Sequence, residues 1–257
     1  FLIKFLISLI LVGCQQIAIV EKDKELFTPL PKEDYQIPAD NSADTYKNIW
    51  DYLLANNLTT HDELINEQVL YYMNTHIKDT DKFKEYLNDS YYFLYFVINE
   101  LEKEGLPLEL SLIPYIESNY DPFSISSSGA VGMWQFMPKT GRLFELNKTW
   151  WNEDRHDPFR STEAAVSYLK YLYERFDNDI YLTLAAYNAG PTLLERRINQ
   201  NKRRGLEVEF WSLNLPNQTK EYVPKYIALR ELVFNPDKYD IQLPEIPNEP
   251  IVQKISI

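Results

Sequence analysis

Between Asp79 and Glu104 the large apolar side chains fall at Phe83, Leu87, Tyr91, Leu94, Ile98 and Leu101, every third or fourth residue. That spacing predicts one or two helices with a single buried face, because the apolar positions of a strand would alternate instead. The same period appears at Ile49, Trp50, Leu53 and Leu54, at Ala165, Leu169, Leu172 and Phe176, and at Tyr222, Ile227, Leu229 and Leu232. Glycine, which a turn-rich β fold uses heavily, occurs only seven times in 257 residues. The expected fold class is therefore all-α, with any β-hairpin small. The aromatic run Tyr91 to Phe96 lies on the first stripe, so it reads as helix-packing core and not as a sugar platform.

Local signals place the other elements. Thr60-His61-Asp62-Glu63 is a capping-box pattern that should open a helix through about Ile77. Gly105 suits the position after a helix end and Pro107 the first turn of the next helix. Ser161 is expected to cap a helix reaching about Phe176, Asp179 to start the following one, and Gly190-Pro191 to separate it from its successor. The last long helix spans about Gln218 to Phe234, kinked or opened at Pro224. His61 and His76 read as surface residues: no HExxH word and no cysteine partner accompanies them, so no metal and no cofactor is expected. Arg196, Arg197, Lys202, Arg203 and Arg204 form the main basic cluster, read as a solvated face, with attraction of a ligand's carboxylates as the other reading.

A formal charge of −12 argues against nucleic-acid binding and against attraction to anionic membranes. Attachment to a membrane would need another device, and the first residues supply one. Phe1 to Val12 is apolar apart from Lys4 and Ser8, too short for the ~20 residues of a spanning helix, and fits a secretory signal. Leu11-Val12-Gly13-Cys14, which holds the only cysteine, resembles the lipobox of bacterial lipoproteins. That resemblance implies that Cys14 is lipidated and, with Gln15 next, that the protein sits on the periplasmic face of the outer membrane. Residues 15–42 mix charges with Pro29, Pro31 and Pro38 and read as a flexible tether. The remaining organisation is an N-terminal helical segment (43–104), a catalytic domain (105–205), a helical flank (206–236) and an extended tail (237–257).

Chemistry concentrates in Leu106 to Met137. A short apolar helix, with Leu110, Leu112, Ile113, Tyr115 and Ile116, delivers one carboxylate, Glu117. Burial against such side chains disfavours the ionised form and raises the pKa, which suits a general acid. On spacing alone, a solvated glutamate at a helix end is the other reading. Three words then occur in order: Glu117-Ser118, Gly132-Met133-Trp134-Gln135 followed by Phe136-Met137-Pro138, and Ala186-Tyr187-Asn188-Ala189-Gly190. Together they resemble the lytic transglycosylases of the SLT type, in particular the membrane-bound lytic murein transglycosylase D group, from roughly Leu53 to Pro250. Tyr222-Val223-Pro224 matches a further word of that family. Members of the group usually continue past the Ile246-to-Pro250 word into LysM repeats. Here no internal 40-to-50-residue repeat is seen, and the sequence given ends at Ile257.

The resemblance implies a lysozyme-like SLT catalytic domain. It implies cleavage of the β-1,4 bond between N-acetylmuramic acid and N-acetylglucosamine in peptidoglycan glycan strands, with 1,6-anhydro ends. Glu117 would be the sole catalytic acid and base. Ser118, Ser126, Gln135, Tyr187, Asn188 and Tyr222 would hold the sugars and their acetamido groups. Two alternatives stand beside this reading: a hydrolytic goose-type lysozyme and a non-catalytic peptidoglycan-binding lipoprotein. Asp121, the nearest other acid, reads more simply as the start of an Asp-Pro turn. The sequence leaves the oligomeric state open.

Overall fold

A computed structural model describes residues 46–56 and 65–252. Cys14, the tether, His61 and the 60–63 capping pattern lie outside the described residues. Among the described residues ten α-helices follow one another: α1 (Ile49–Asn56), α2 (Glu67–Ile77), α3 (Thr80–Asn88), α4 (Leu94–Lys103), α5 (Ile113–Ser118), α6 (Pro138–Leu143), α7 (Pro158–Arg175), α8 (Ile180–Ala189), α9 (Pro191–Arg204) and α10 (Asn217–Phe234). Among the described residues there are isolated bridges but no strand, so the all-α expectation holds.

Several boundaries move, each for a local reason. The helix α2 starts at Glu67, where the Asn66 side chain accepts the Val69 N–H at 3.0 Å. The Phe83-to-Leu101 stripe is buried as predicted, apart from the half-buried Tyr91, but a turn divides it into α3 and α4. Continuation of α3 would need the Leu87 carbonyl to accept from Tyr91. Instead that carbonyl accepts from the Ser90 hydroxyl at 3.0 Å and from the Tyr115 hydroxyl at 2.6 Å. The α7 cap is Asp157, not Ser161; its carboxylate accepts from the N–H groups of Phe159 and Arg160, and Ser161 is buried within the helix. Pro107 precedes a 3-10 turn, Leu108–Leu112, rather than opening an α-helix. His76 is half-buried, its ring 4.6 Å from that of Phe83, and burial lowers its pKa, so the surface reading fails for this residue. In the aromatic run Leu94 and Phe96 are buried while Tyr92 is exposed, which leaves a packing element and not a platform.

The long helix α10 is the spine. It packs on α2 and α8, and on the 3-10 turn and α5 that lead to Glu117. Pro224 lies inside it and leaves the Lys220 carbonyl without its i+4 donor, at an exposed position where water can take that place. One buried ion pair fixes α10 lengthwise: the Arg230 guanidinium donates to Glu109 in the 3-10 turn, with Glu109 fully buried. Residues 246–248 pack back against the start of α1, where Ile49 N–H donates to Ile246 O at 2.8 Å and Asn248 N–H to Lys47 O at 2.9 Å. The largest fully buried side chains, Trp50, Trp134, Tyr120 and Tyr226, belong to one hydrophobic core.

Candidate active site

Glu117 occupies the last turn of α5. That helix stops abruptly because Asn119 and Tyr120 both adopt left-handed backbone conformations, with φ of 58° and 59°. Such conformations cost free energy for residues with a Cβ and persist where the surroundings hold them. The Tyr120 ring is fully buried and its hydroxyl donates to Ser111 O at 2.7 Å, which fixes the bend. Asp121 then makes the expected turn, its carboxylate accepting the Phe123 N–H at 2.8 Å. It is exposed and occupied as a turn former, not turned into the site as a second acid.

Glu117 as a residue is half-buried, and its carboxyl is drawn away from water. The Tyr222 hydroxyl donates to Glu117 Oε1 at 2.6 Å across 105 residues of sequence. No cation stands beside it among the described residues. Loss of hydration raises its pKa from 4.5 to about 7, and the Tyr222 hydrogen bond offsets part of that rise. Tyr187 and Tyr222 are both buried, and burial together with the nearby Glu117 charge pushes their hydroxyls far above the ordinary tyrosine value. Both phenols therefore stay protonated donors at neutral pH.

The Gly132-to-Gln135 word closes the other side of the site. Gly132 has φ of 82°, and a Cβ there would come within 1.8 Å of the Arg155 carbonyl, so only glycine fits. The two carbonyls that follow are each held by a neighbouring site residue. Ser118 donates to Met133 O at 2.8 Å and Tyr187 to Trp134 O at 2.8 Å. Gln135, at φ of 50°, donates its amide to Gly132 O at 2.8 Å and to Ser124 O at 3.3 Å, bracing the turn. Asn188 is half-exposed, and its side-chain oxygen accepts from Thr219 at 2.9 Å, which ties α8 to α10. Ser126 lies farther along the loop, where its hydroxyl accepts the Ala130 N–H at 2.9 Å. The structure thus brings Glu117, Tyr187 and Tyr222 together, with Ser118 and Gln135 bracing the adjoining turn.

Sequence reasoning passed over Arg155. Its guanidinium is almost wholly buried, pairs with Glu153 through Nε at 2.7 Å and another nitrogen at 3.0 Å, and donates to Gly129 O at 3.1 Å and Phe136 O at 2.7 Å. It clamps both ends of the loop that carries Gln135. A signal was available in the charged Glu153-Asp154-Arg155 triplet, which is too short for a charged helix face. Arg196, Arg197, Arg203 and Arg204 line an open groove on α9, away from these contacts. No cluster of three or more His, Cys, Asp or Glu able to hold a metal occurs among the described residues.

Residues 95–210 match the family model described as the Transglycosylase SLT domain. Residues 95–210 are an SLT transglycosylase-type domain. Every member of the Glu117, Gln135 and Tyr187 group falls inside that span, whereas Tyr222 falls outside it. The chain is 40% identical over 165 residues to membrane-bound lytic murein transglycosylase D of Escherichia coli K12, an alignment that covers 63% of this chain and 36% of that protein. It is 30% identical over 116 residues to the soluble lytic murein transglycosylase of the same organism, covering 44% of this chain and 18% of the other. The chain therefore spans about a third or less of the length of these relatives. Among solved structures, an inactive variant of lytic transglycosylase Slt from Pseudomonas aeruginosa aligns over 75% of this chain and 33% of its own, at 21% identity and a TM-score of 0.48. No helix among the described residues is long and apolar enough to cross a membrane.

Proposed function

We propose that the protein is a peptidoglycan lytic transglycosylase that cleaves the N-acetylmuramic acid β-1,4 N-acetylglucosamine bond and leaves 1,6-anhydro ends. One observation carries the reading: within an SLT domain, the Glu117 carboxyl is raised to about 7 beside Tyr222, with no cation near it and no second carboxylate facing it among the described residues. Two-carboxylate glycosidases need a second acid to supply a nucleophile or activate water. Here one group serves twice. Protonated Glu117 donates to the glycosidic oxygen, and the substrate's 2-acetamido group stabilises C1. The Glu117 carboxylate then accepts the proton of the C6 hydroxyl as that oxygen attacks C1 and closes the ring. The nucleophile belongs to the same sugar, so proximity replaces a second base. Tyr222 stabilises the carboxylate between the two proton transfers, and Tyr187, Asn188 and Gln135 border the space for the sugar.

Digestion of glycan strands in oxygen-18 water tests this. Muramoyl ends that are anhydro and free of label are expected. Label at C1 would make water the nucleophile and the protein a lysozyme, and absence of any product would leave a binding protein. The name of the relative at 40% identity places that protein at a membrane, and Leu11 to Cys14 supports a lipid anchor for this chain, on the periplasmic face of the outer membrane. Retention of a Cys14→Ser variant in the membrane fraction would remove that part of the reading.

A further inference from the structure

Two adjacent tryptophans, Trp150 and Trp151, are 87% and 70% exposed. They do not hang on a slack loop. Asn147 and Asp154 close the base of a hairpin-like turn, Asn147 N–H donating to the Asp154 carboxylate at 2.9 Å and Asp154 N–H to Asn147 O at 2.9 Å. Thr149 N–H donates to Asn152 O at 2.7 Å, and Asn152 N–H to the Thr149 hydroxyl at 3.1 Å. The indoles thus sit at the centre of a fixed four-residue tip. Their rings meet edge to face, 4.5 Å apart at 84°, so each keeps an open face. An ordered tip that displays two indoles to water gains nothing from the core, and such apolar display marks a contact surface.

The tip is wired to the Glu117 cleft. Glu153, immediately after it, holds Arg155, which clamps the loop that carries Gln135. His156, next in sequence, lies with its ring 6.0 Å from that of Phe123, which is itself 75% exposed. Ser124, beside Phe123, lends its carbonyl to Gln135. We propose that the Trp150–Trp151 tip is a second carbohydrate site, stacking on pyranose rings of a glycan strand outside the cleft; the choice of ligand rests on the function proposed above.

Size and surroundings favour sugar. An indole covers about 150–250 Å², so the pair offers a few hundred Å², less than the ~800 Å² per partner of a stable protein complex. The flat faces match the C–H face of a pyranose. Exposed Asn147, Thr149 and Asn152 add neutral hydrogen-bonding groups at the rim. A membrane-seeking tip would gain from free cations, but Lys148 is paired with Glu153 at 3.1 Å and the chain carries −12.

The test is equilibrium binding to long, peptide-free glycan strands, read by co-sedimentation, with every protein compared in the Glu117→Gln background so that no strand is cut. A protein that cleaves nothing would sink the reaction assigned to Glu117 while this comparison still reads out. The double variants Trp150→Ala/Trp151→Ala and Trp150→Leu/Trp151→Leu should both lose about tenfold or more in affinity, equivalent to ~1.4 kcal/mol, with melting temperatures unchanged. The double Phe variant should recover most of it. Wild-type affinity in the Ala variant would overturn the proposal, as would full binding in the Leu variant, since leucine keeps apolarity and lacks a flat face. Loss confined to vesicles of phosphatidylethanolamine and phosphatidylglycerol would also overturn it and assign the tip to membrane.

Discussion

Glu109 and Glu117 stand eight residues apart on one continuous segment, and both are drawn away from water. Glu109 is fully buried and meets the Arg230 guanidinium. Glu117 is half-buried and meets the neutral Tyr222 hydroxyl. Both partners come from α10, about two turns apart. Burial alone therefore does not make an acid: a cation beside a buried carboxylate compensates its charge, while a phenol compensates only part of it. The same helix that locks the fold at Glu109 leaves Glu117 with a proton to donate.

The sharpest way to break this contrast is to remove the proton. Glu117→Gln keeps the shape and should fold, yet lose roughly 10²–10⁴-fold in turnover of glycan strands. Substantial residual activity would mean that the acid lies elsewhere. At the other glutamate the cost should fall on stability. Glu109→Gln removes the buried carboxylate charge that faces the Arg230 guanidinium, and should destabilise by about 3–5 kcal/mol in chemical denaturation. A change below ~1 kcal/mol would remove Glu109 from its place as the anchor of α10.

The pH dependence of stability separates the two further. Folded Glu117 titrates at about 7 against an ordinary 4.5, so the folded state binds more protons between those values. Stability should therefore fall as pH rises through that window and stay lower above it. Glu117→Gln should abolish this slope and be more stable than wild type at pH 8, by about 1–3 kcal/mol after a discount for solvent screening at a half-buried residue. Parallel stability curves for the two proteins would contradict the raised pKa. A smaller effect is expected from Tyr222→Phe. Removing the hydrogen bond that favours the carboxylate should move the alkaline limb of the activity profile upward, and a downward move would count against the assigned partner.

How much of this was legible beforehand follows from the range of each interaction. The helical class, the Phe83-to-Leu101 stripe, the Asp179 cap and the Gly190-Pro191 break are local, and one stretch of sequence states them. The Glu117, Gln135 and Tyr187 words were readable through family resemblance, and the contacts through Met133 and Trp134 carbonyls explain why they travel together. The α3–α4 break was not legible, because Tyr115, from a later helix, takes the Leu87 carbonyl. Asp157 was overlooked as a cap because Ser161 also fits the local pattern. The roles of Arg155 and of the Glu109–Arg230 pair escaped because their partners lie far away or on backbone atoms, which no residue spacing reports.

The central claim is that Glu117 holds a proton near neutrality because it is desolvated without a cation. Carbon-13 NMR titration of the Glu117 carboxyl, assigned by its absence in Glu117→Gln, measures this directly. A midpoint about 7 is predicted, and a midpoint near the ordinary 4.5 would contradict the account.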